Sequence, residues 1–200
     1  VNKIGNIPIV YEDNWLLVVD KPAGLLTIPT PKKESRTLTS ILHAHPCHRL
    51  DRETSGLIIY AKGKSTQKKM MQEFQYRRVK KKYLAFVQGY LNQNQGQIKN
   101  PIEGLTALTK YKVREKKKDF SILEASPLSG RTNQIRIHLK QIGHPILGDT
   151  RFAFRRDFKI KAKRLCLHAQ SLEFMHPITG KFIHLEAELP QDLKEFLQTH

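Results

Sequence analysis

Two hundred residues, 39% of them hydrophobic and 26% charged, can bury one sizeable core, which excludes a disordered chain. Thirty-five Lys and Arg against eighteen Asp and Glu give a net charge of +17, an excess that no fold requires and that favours a polyanionic partner. No apolar run approaches the roughly 20 residues of a membrane span, the first ten residues lack a secretory layout, and two cysteines make no disulfide framework, so a reducing cytoplasm is expected.

In chain order, Ile7 to Val10 and Leu16 to Val19 read as buried strands, and Lys21-Pro22-Ala23-Gly24 as a turn. Ile28 to Ser35, with two prolines and three charges, reads as an exposed loop, and a short helix follows from Arg36 to about Ala44. Leu57 to Ala61 is a strand. Ser65 is the expected N-cap of a helix to about Arg78, with Met70, Met71 and Phe74 on its core face. Tyr83 to Val87 is β-rich, and Asn92 to Gly104 reads as a loop. Leu108 to Val113 and Phe120 to Ala125 flank the charged turn Glu115 to Asp119 in a hairpin pattern. Arg131 to Ile142 predicts a helix ending at Gly143. Leu165 to Phe174 and Phe182 to Leu189 are the last strands, and a short helix closes the chain after Pro190. Strands outnumber helices without regular βα alternation. The expected fold is therefore α+β, a single domain over residues 1–200 with a mixed, largely antiparallel central sheet.

The cations cluster in 77–82 (RRVKKK), 114–118 (REKKK) and 155–164 (RRDFKIKAKR). Three such runs in one small chain point to nucleic acid. Three segments could carry chemistry. His48 to Gly56, HRLDRETSG, sets Asp51 between Arg49 and Arg52, where positive neighbours favour an ionised carboxylate able to act as nucleophile or base. The local alternative is a loop aspartate paired with arginine, and composition alone favours it. Gly130 to His138, GRTNQIRIH, places Arg131 and Thr132 at a helix start, where free N–H groups favour anions, with Arg136 five residues on. The alternative for that segment is a phosphate-binding helix end without catalysis, which still favours RNA. Tyr83, among Lys81 and Lys82, either stacks on a base or anchors a sheet edge.

His43, His45, Cys47 and His48 invite a zinc reading, but four donors in six residues do not easily wrap one tetrahedral ion. No Walker loop, GxGxxG or HExxH is present, so neither metal nor nucleotide cofactor is expected.

Taken together these segments resemble the RluA family of RNA pseudouridine synthases. WLLVVDKPAGLL at 15–26, HRLDRETSG at 48–56, KKYLAFVQG at 81–89, GRTNQIRIHLKQIGHPILGD at 130–149 and RLCLHAQSLEFMHPITG at 164–180 follow the family's order along nearly the whole chain. The resemblance implies the pseudouridine synthase catalytic fold and isomerisation of uridines in ribosomal or transfer RNA without a cofactor. It implies that Asp51 attacks the ribose C1′ or takes a proton from C2′, that Tyr83 packs on the uracil, and that Arg136 pairs with Asp51. Arg49 is implied to fill the space of a flipped-out uridine. RNA contacts are expected from Arg49, Arg52, Lys81, Lys82, Arg131, Thr132, Asn133 and Gln134. Many members carry a preceding S4 RNA-binding domain; here the catalytic fold begins within the first dozen residues, so none is expected in this chain. Asn133 stands where the family often has histidine. A monomer that binds RNA, and neither DNA nor membrane, is expected. The alternative is a non-catalytic RNA-binding or ribosome-assembly factor.

Overall fold

The computed structural model describes residues 2–31 and 34–200; Lys32 and Lys33 of the expected 28–35 loop lie outside them. The chain divides into two compact units, residues 1–81 with 169–188, and residues 82–168 with 189–200.

The first unit is built on strands β1 (Lys3–Ile4), β2 (Ile7–Glu12), β3 (Leu16–Lys21), β4 (His45–Pro46), β5 (Ser55–Ala61), β10 (Leu167–Met175) and β11 (Phe182–Glu186). Their order is β1-β2-β3-β5-β10, with β11 on β10 and β4 on β5. β2–β3, β3–β5 and β10–β11 are antiparallel. Every residue of β5 is buried, which is why it reads as one apolar run rather than an alternation. Two helices complete the unit, α1 (Leu38–Leu42) and α2 (Lys64–Gln75). Thr37 and Ser40 close a capping box at the start of α1, and His43 ends it in the left-handed region at φ 48. α2 starts at Lys64 after Gly63 and stops at Tyr76, with Arg77 at φ 58, short of the expected Arg78. Met70 joins the core cluster that contains Leu16, Val18, Leu57 and Phe174, and Phe74, one turn on, packs against it. Met71, expected in that core, is 50% exposed, because the buried stripe of α2 is only one residue wide.

Two details explain motif residues. Gly56 has φ 114, and a Cβ there would lie 2.2 Å from the Ala169 carbonyl oxygen, so only glycine lets these backbones approach. In the 176–180 turn, His176 Nδ1 accepts the N–H groups of Ile178 and Thr179, while its Nε2 lies 2.9 Å from Asp13 Oδ2.

The second unit contains β6 (Lys80–Gln88, from Lys82 onward), β7 (Gln95–Ile98), β8 (Thr109–Lys116) and β9 (Phe120–Pro127), ordered β6-β9-β8-β7 and antiparallel throughout. The β8–β9 hairpin matches the sequence pattern. β7 lies inside the expected 92–104 loop; its Gln-Gly-Gln-Ile buries one side chain, Ile98, too little apolar alternation to read as a strand. Helix α3 (Gln134–Gln141) packs on β8 and β9, and α4 (Gln191–Thr199) sets Phe196 against Phe86 and Phe120. α3 begins three residues later than expected, because Asn133 takes φ 55 and turns the chain before the first helical bond. Residues 149–164 leave and re-enter the unit at one point: Cys166 N–H bonds the Leu147 carbonyl, and Gly148, at φ 75, lies so close to the Arg164 carbonyl that a Cβ would meet its oxygen at 1.9 Å. The architecture is α+β with a largely antiparallel sheet, as the sequence predicts.

Candidate active site

Asp51 is half-buried in the connection between β4 and β5, and the main chain on both sides of it is held. Leu50 is buried, and its carbonyl and N–H both bond Thr27 Oγ1, at 2.9 and 3.3 Å. On the other side, the Arg52 carbonyl accepts Gly24 N–H at 2.8 Å and Lys21 Nζ at 3.0 Å. Thr54 N–H closes the turn on the Asp51 carbonyl at 3.2 Å. Lys21 is fully buried and also donates to the carbonyls of Pro22 and Leu25, so its charge is spread over main-chain dipoles. Its neighbour Asp20 is pushed up to about 6 by burial, which Lys21 partly offsets.

The other expected residues of this unit sit as follows. Arg49 and Arg52 are exposed, and Arg52 meets Glu34 at 3.1 Å. His48 rests on Phe74 with ring centroids 4.5 Å apart, and its Nε2 accepts Ile59 N–H. Burial, helped by the Lys81 charge, pushes this imidazole down to about 3, so it stays neutral. Lys81 lies over the Phe74 ring, and burial lowers its own pKa. Cys47 is buried, and burial pushes its thiol up to about 12. Among the described residues no group of three His, Cys, Asp or Glu is placed to hold a metal ion, the 43–48 cluster included.

In the second unit, Tyr83 is buried on β6 opposite Ala125 of β9, and Lys82 reaches Glu124 at 3.8 Å. Arg136, on the first turn of α3, is 6% exposed and fixed by a fork: Nε and Nη2 donate to the two oxygens of Asp149, both at 2.8 Å. Nη1 donates to Asn133 Oδ1 at 3.0 Å, and the guanidinium lies 5.0 Å from the Phe152 centroid. Burial opposes the charge of Asp149, but the bonds from Arg136, Phe152 N–H and Arg151 N–H outweigh it and hold the carboxyl below its usual range. Arg131 and Thr132 are exposed. Asn133 and Gln134 are buried, and both Gln134 amide atoms are engaged inside the protein, by Ser129, Arg131 N–H, Leu108 O and Thr109. His138 is likewise internal, bonding Thr109 and the Asn100 carbonyl.

Residues 15–141 match the family described as RNA pseudouridylate synthase. The chain is a member of that family. Within it the sequence is 35% identical to the dual-specificity RNA pseudouridine synthase RluA of Haemophilus influenzae, over 91% of this chain and 93% of the relative. It is 36% identical to the RluA of Yersinia pestis, over 90% and 98%. Two solved human proteins share the fold. RNA pseudouridylate synthase domain containing 4 superposes with a TM-score of 0.81 at 23% identity, covering 96% of this chain and 92% of that one. Domain containing 1 gives 0.76 at 24% identity, over 100% and 96%.

As an RNA pseudouridine synthase of the RluA family the protein is an isomerase acting on RNA. The matched stretch contains Asp51, Tyr83 and Arg136. Four supporting residues of this synthase carry no signal of their role in the sequence: Lys21, Thr27, Asp149 and Phe152. Lys21 and Asp149 fall within recognisable motifs, in the 15–26 segment and at the end of the 130–149 segment; Thr27 and Phe152 fall in none.

Proposed function

We propose that the protein converts uridines of ribosomal or transfer RNA to pseudouridine with Asp51 as the catalytic carboxylate. Asp51 attacks C1′, or removes the C2′ proton. Either route breaks the C1′–N1 bond; the detached uracil turns and rejoins through C5 as Asp51 leaves C1′ or returns the proton to C2′. The C5 proton leaves to solvent and N1 gains one, so the reaction balances with no oxidant, hydrolysis or cofactor. Tyr83 packs on the uracil. Arg136, oriented by Asp149 and Asn133, supplies a fixed positive charge that favours the ionised carboxylate. Arg49 fills the stack vacated by the flipped uridine. Arg52, Lys81, Lys82, Arg131 and Thr132 contact phosphate, whereas Asn133 and Gln134, being buried, buttress the 130–136 turn. Residues 1–200 act as one catalytic domain, as a monomer and in the cytoplasm.

The observation that carries this reading is that one family match spans Asp51, Tyr83 and Arg136, while the one buried guanidinium among them is held in a single orientation by two acceptor side chains. The test is tritium release from total RNA labelled at uridine C5, taken from a strain lacking the enzyme. Wild type is expected to release tritium and Asp51→Asn to fall to background with RNA binding nearly intact. An Asp51→Asn enzyme that still turns over, or that loses RNA binding along with turnover, removes Asp51 from the chemistry.

A further inference from the structure

The proposed mechanism uses only the first residues of the 149–164 excursion. From Arg151 to Arg164 it carries seven Lys or Arg against the single acid Asp157. That acid is engaged inside the protein, accepting Lys140 Nζ at 2.7 Å and Phe154 N–H at 2.9 Å, which ties the short 3-10 turn Arg155–Asp157 to α3. Arg164 is taken by Asp192, and Lys159 lies 4.0 Å from Asp119. Arg155, Arg156, Lys161 and Lys163 are exposed and form no close ion pair with a carboxylate among the described residues.

Among these cations stands Phe154, 67% exposed, with the Arg156 guanidinium over its ring at 5.1 Å. Leaving a phenylalanine in water forgoes the gain of burial, and a guanidinium rather than an apolar side chain lies over its ring, so the site does not suit a protein core. It suits a nucleobase, whose π-face stacks on an aromatic ring or a guanidinium plane while cations take the flanking phosphates. The location fits as well. Phe152 lies against Arg136, and Phe154 is two residues on, at most about 7 Å along the chain.

We propose that Phe154 is a stacking platform for an unpaired RNA base flanking the modified uridine, with Arg155, Arg156, Lys161 and Lys163 neutralising the adjoining phosphates. This rests on Arg136 belonging to the active site, but its first test does not depend on catalysis.

Binding of fluorescein-labelled oligouridine, alone and annealed to oligoadenosine, separates stacking from charge. Phe154→Ala is expected to weaken binding of the single strand by about five- to a hundredfold, the range for loss of one stacked base, and to leave duplex binding almost unchanged. Phe154→Trp restores it. Replacing the four cations with Gln weakens both ligands and flattens the log–log salt dependence for the single strand by about 0.7 for each phosphate no longer neutralised. In turnover on total RNA, the Phe154→Ala loss falls on KM rather than kcat. Single-strand binding by Phe154→Ala equal to wild type, or an equal loss on the duplex, overturns the proposal. A surviving Asp51→Asn activity strikes the catalytic assignment instead and leaves the binding arm readable.

Discussion

The surroundings of the two proposed charged actors differ in what holds the main chain and what holds a side chain. The chain on either side of Asp51 is held through its backbone: Thr27, Gly24 and Lys21 bond the carbonyls and N–H of its neighbours and fix the turn. Arg136 sits on a regular helix that fixes its Cα, and its long side chain is restrained at the tip by Asp149, Asn133 and Phe152. The difference follows from side-chain length. A short carboxylate goes where its Cα goes, whereas a guanidinium several rotatable bonds away needs its own clamp, or its rotamer freedom costs about 2 kcal/mol on ordering.

The contrast can be broken most severely at the clamp. Asp149→Ala strands a buried guanidinium without its bidentate partner, and such losses cost about 3–5 kcal/mol. Thermal or urea unfolding should show that drop together with at least a hundredfold loss of kcat, and Asp149→Asn should recover part of each. Stability and kcat both at wild-type level would mean that Asn133 and Phe152 suffice.

The backbone side is probed by Thr27→Val, which keeps the shape and removes the hydroxyl that both donates to and accepts from Leu50. The expected cost is about 1–3 kcal/mol. Because the carboxylate itself is untouched, kcat should fall while the affinity for RNA, read by anisotropy, stays. Reduced affinity with unchanged kcat would sever Thr27 from the Asp51 turn.

The smallest effect concerns Asp20 and is confined to one side of the pH scale. Its pKa is raised by burial to about 6, above the ordinary carboxylate value, so the folded state favours the protonated form. The associated stability is present in acid and lost as pH rises through about 6. Asp20→Asn should therefore raise Tm by a few degrees at pH 8, with the gain fading toward pH 4. His48 runs the other way. Its depressed pKa makes the folded state resist protonation, so stability should decline as pH falls below the ordinary histidine value of about 6.5. His48→Gln should blunt that acid limb of the Tm profile.

What is legible in the sequence is local. β3, β5, the β8–β9 hairpin, α2 and the closing helix are written in apolar runs, spacing and turn residues, and all stand close to where the pattern puts them. Asp51, Tyr83 and Arg136 stand out through the family-like motifs around them, since local composition by itself favours a plain loop aspartate at Asp51. The partners that hold them are remote in sequence. Lys21 reads as the opening of a Pro-Gly turn, yet it is a fully buried cation reaching a carbonyl thirty-one positions away. Asp149 is thirteen positions from Arg136. No period or propensity encodes such pairings, because each depends on where the sheet brings two turns. Asn133 is the intermediate case. Its residue type permits the left-handed conformation it adopts, but its bond to Arg136 emerges only once the helix is placed.

Beyond Phe152, the chain that returns to the pinched base at Gly148 and Arg164 is an exchangeable cassette. Its base is fixed by main-chain bonding at Leu147 and Cys166, so apart from the Asp157 bonds to Lys140 and Phe154 a longer or shorter insert changes the free energy by a slowly varying loop entropy. An enzyme built this way can acquire a different RNA preference by rewriting a dozen surface residues while the machinery anchored behind them stays as it was.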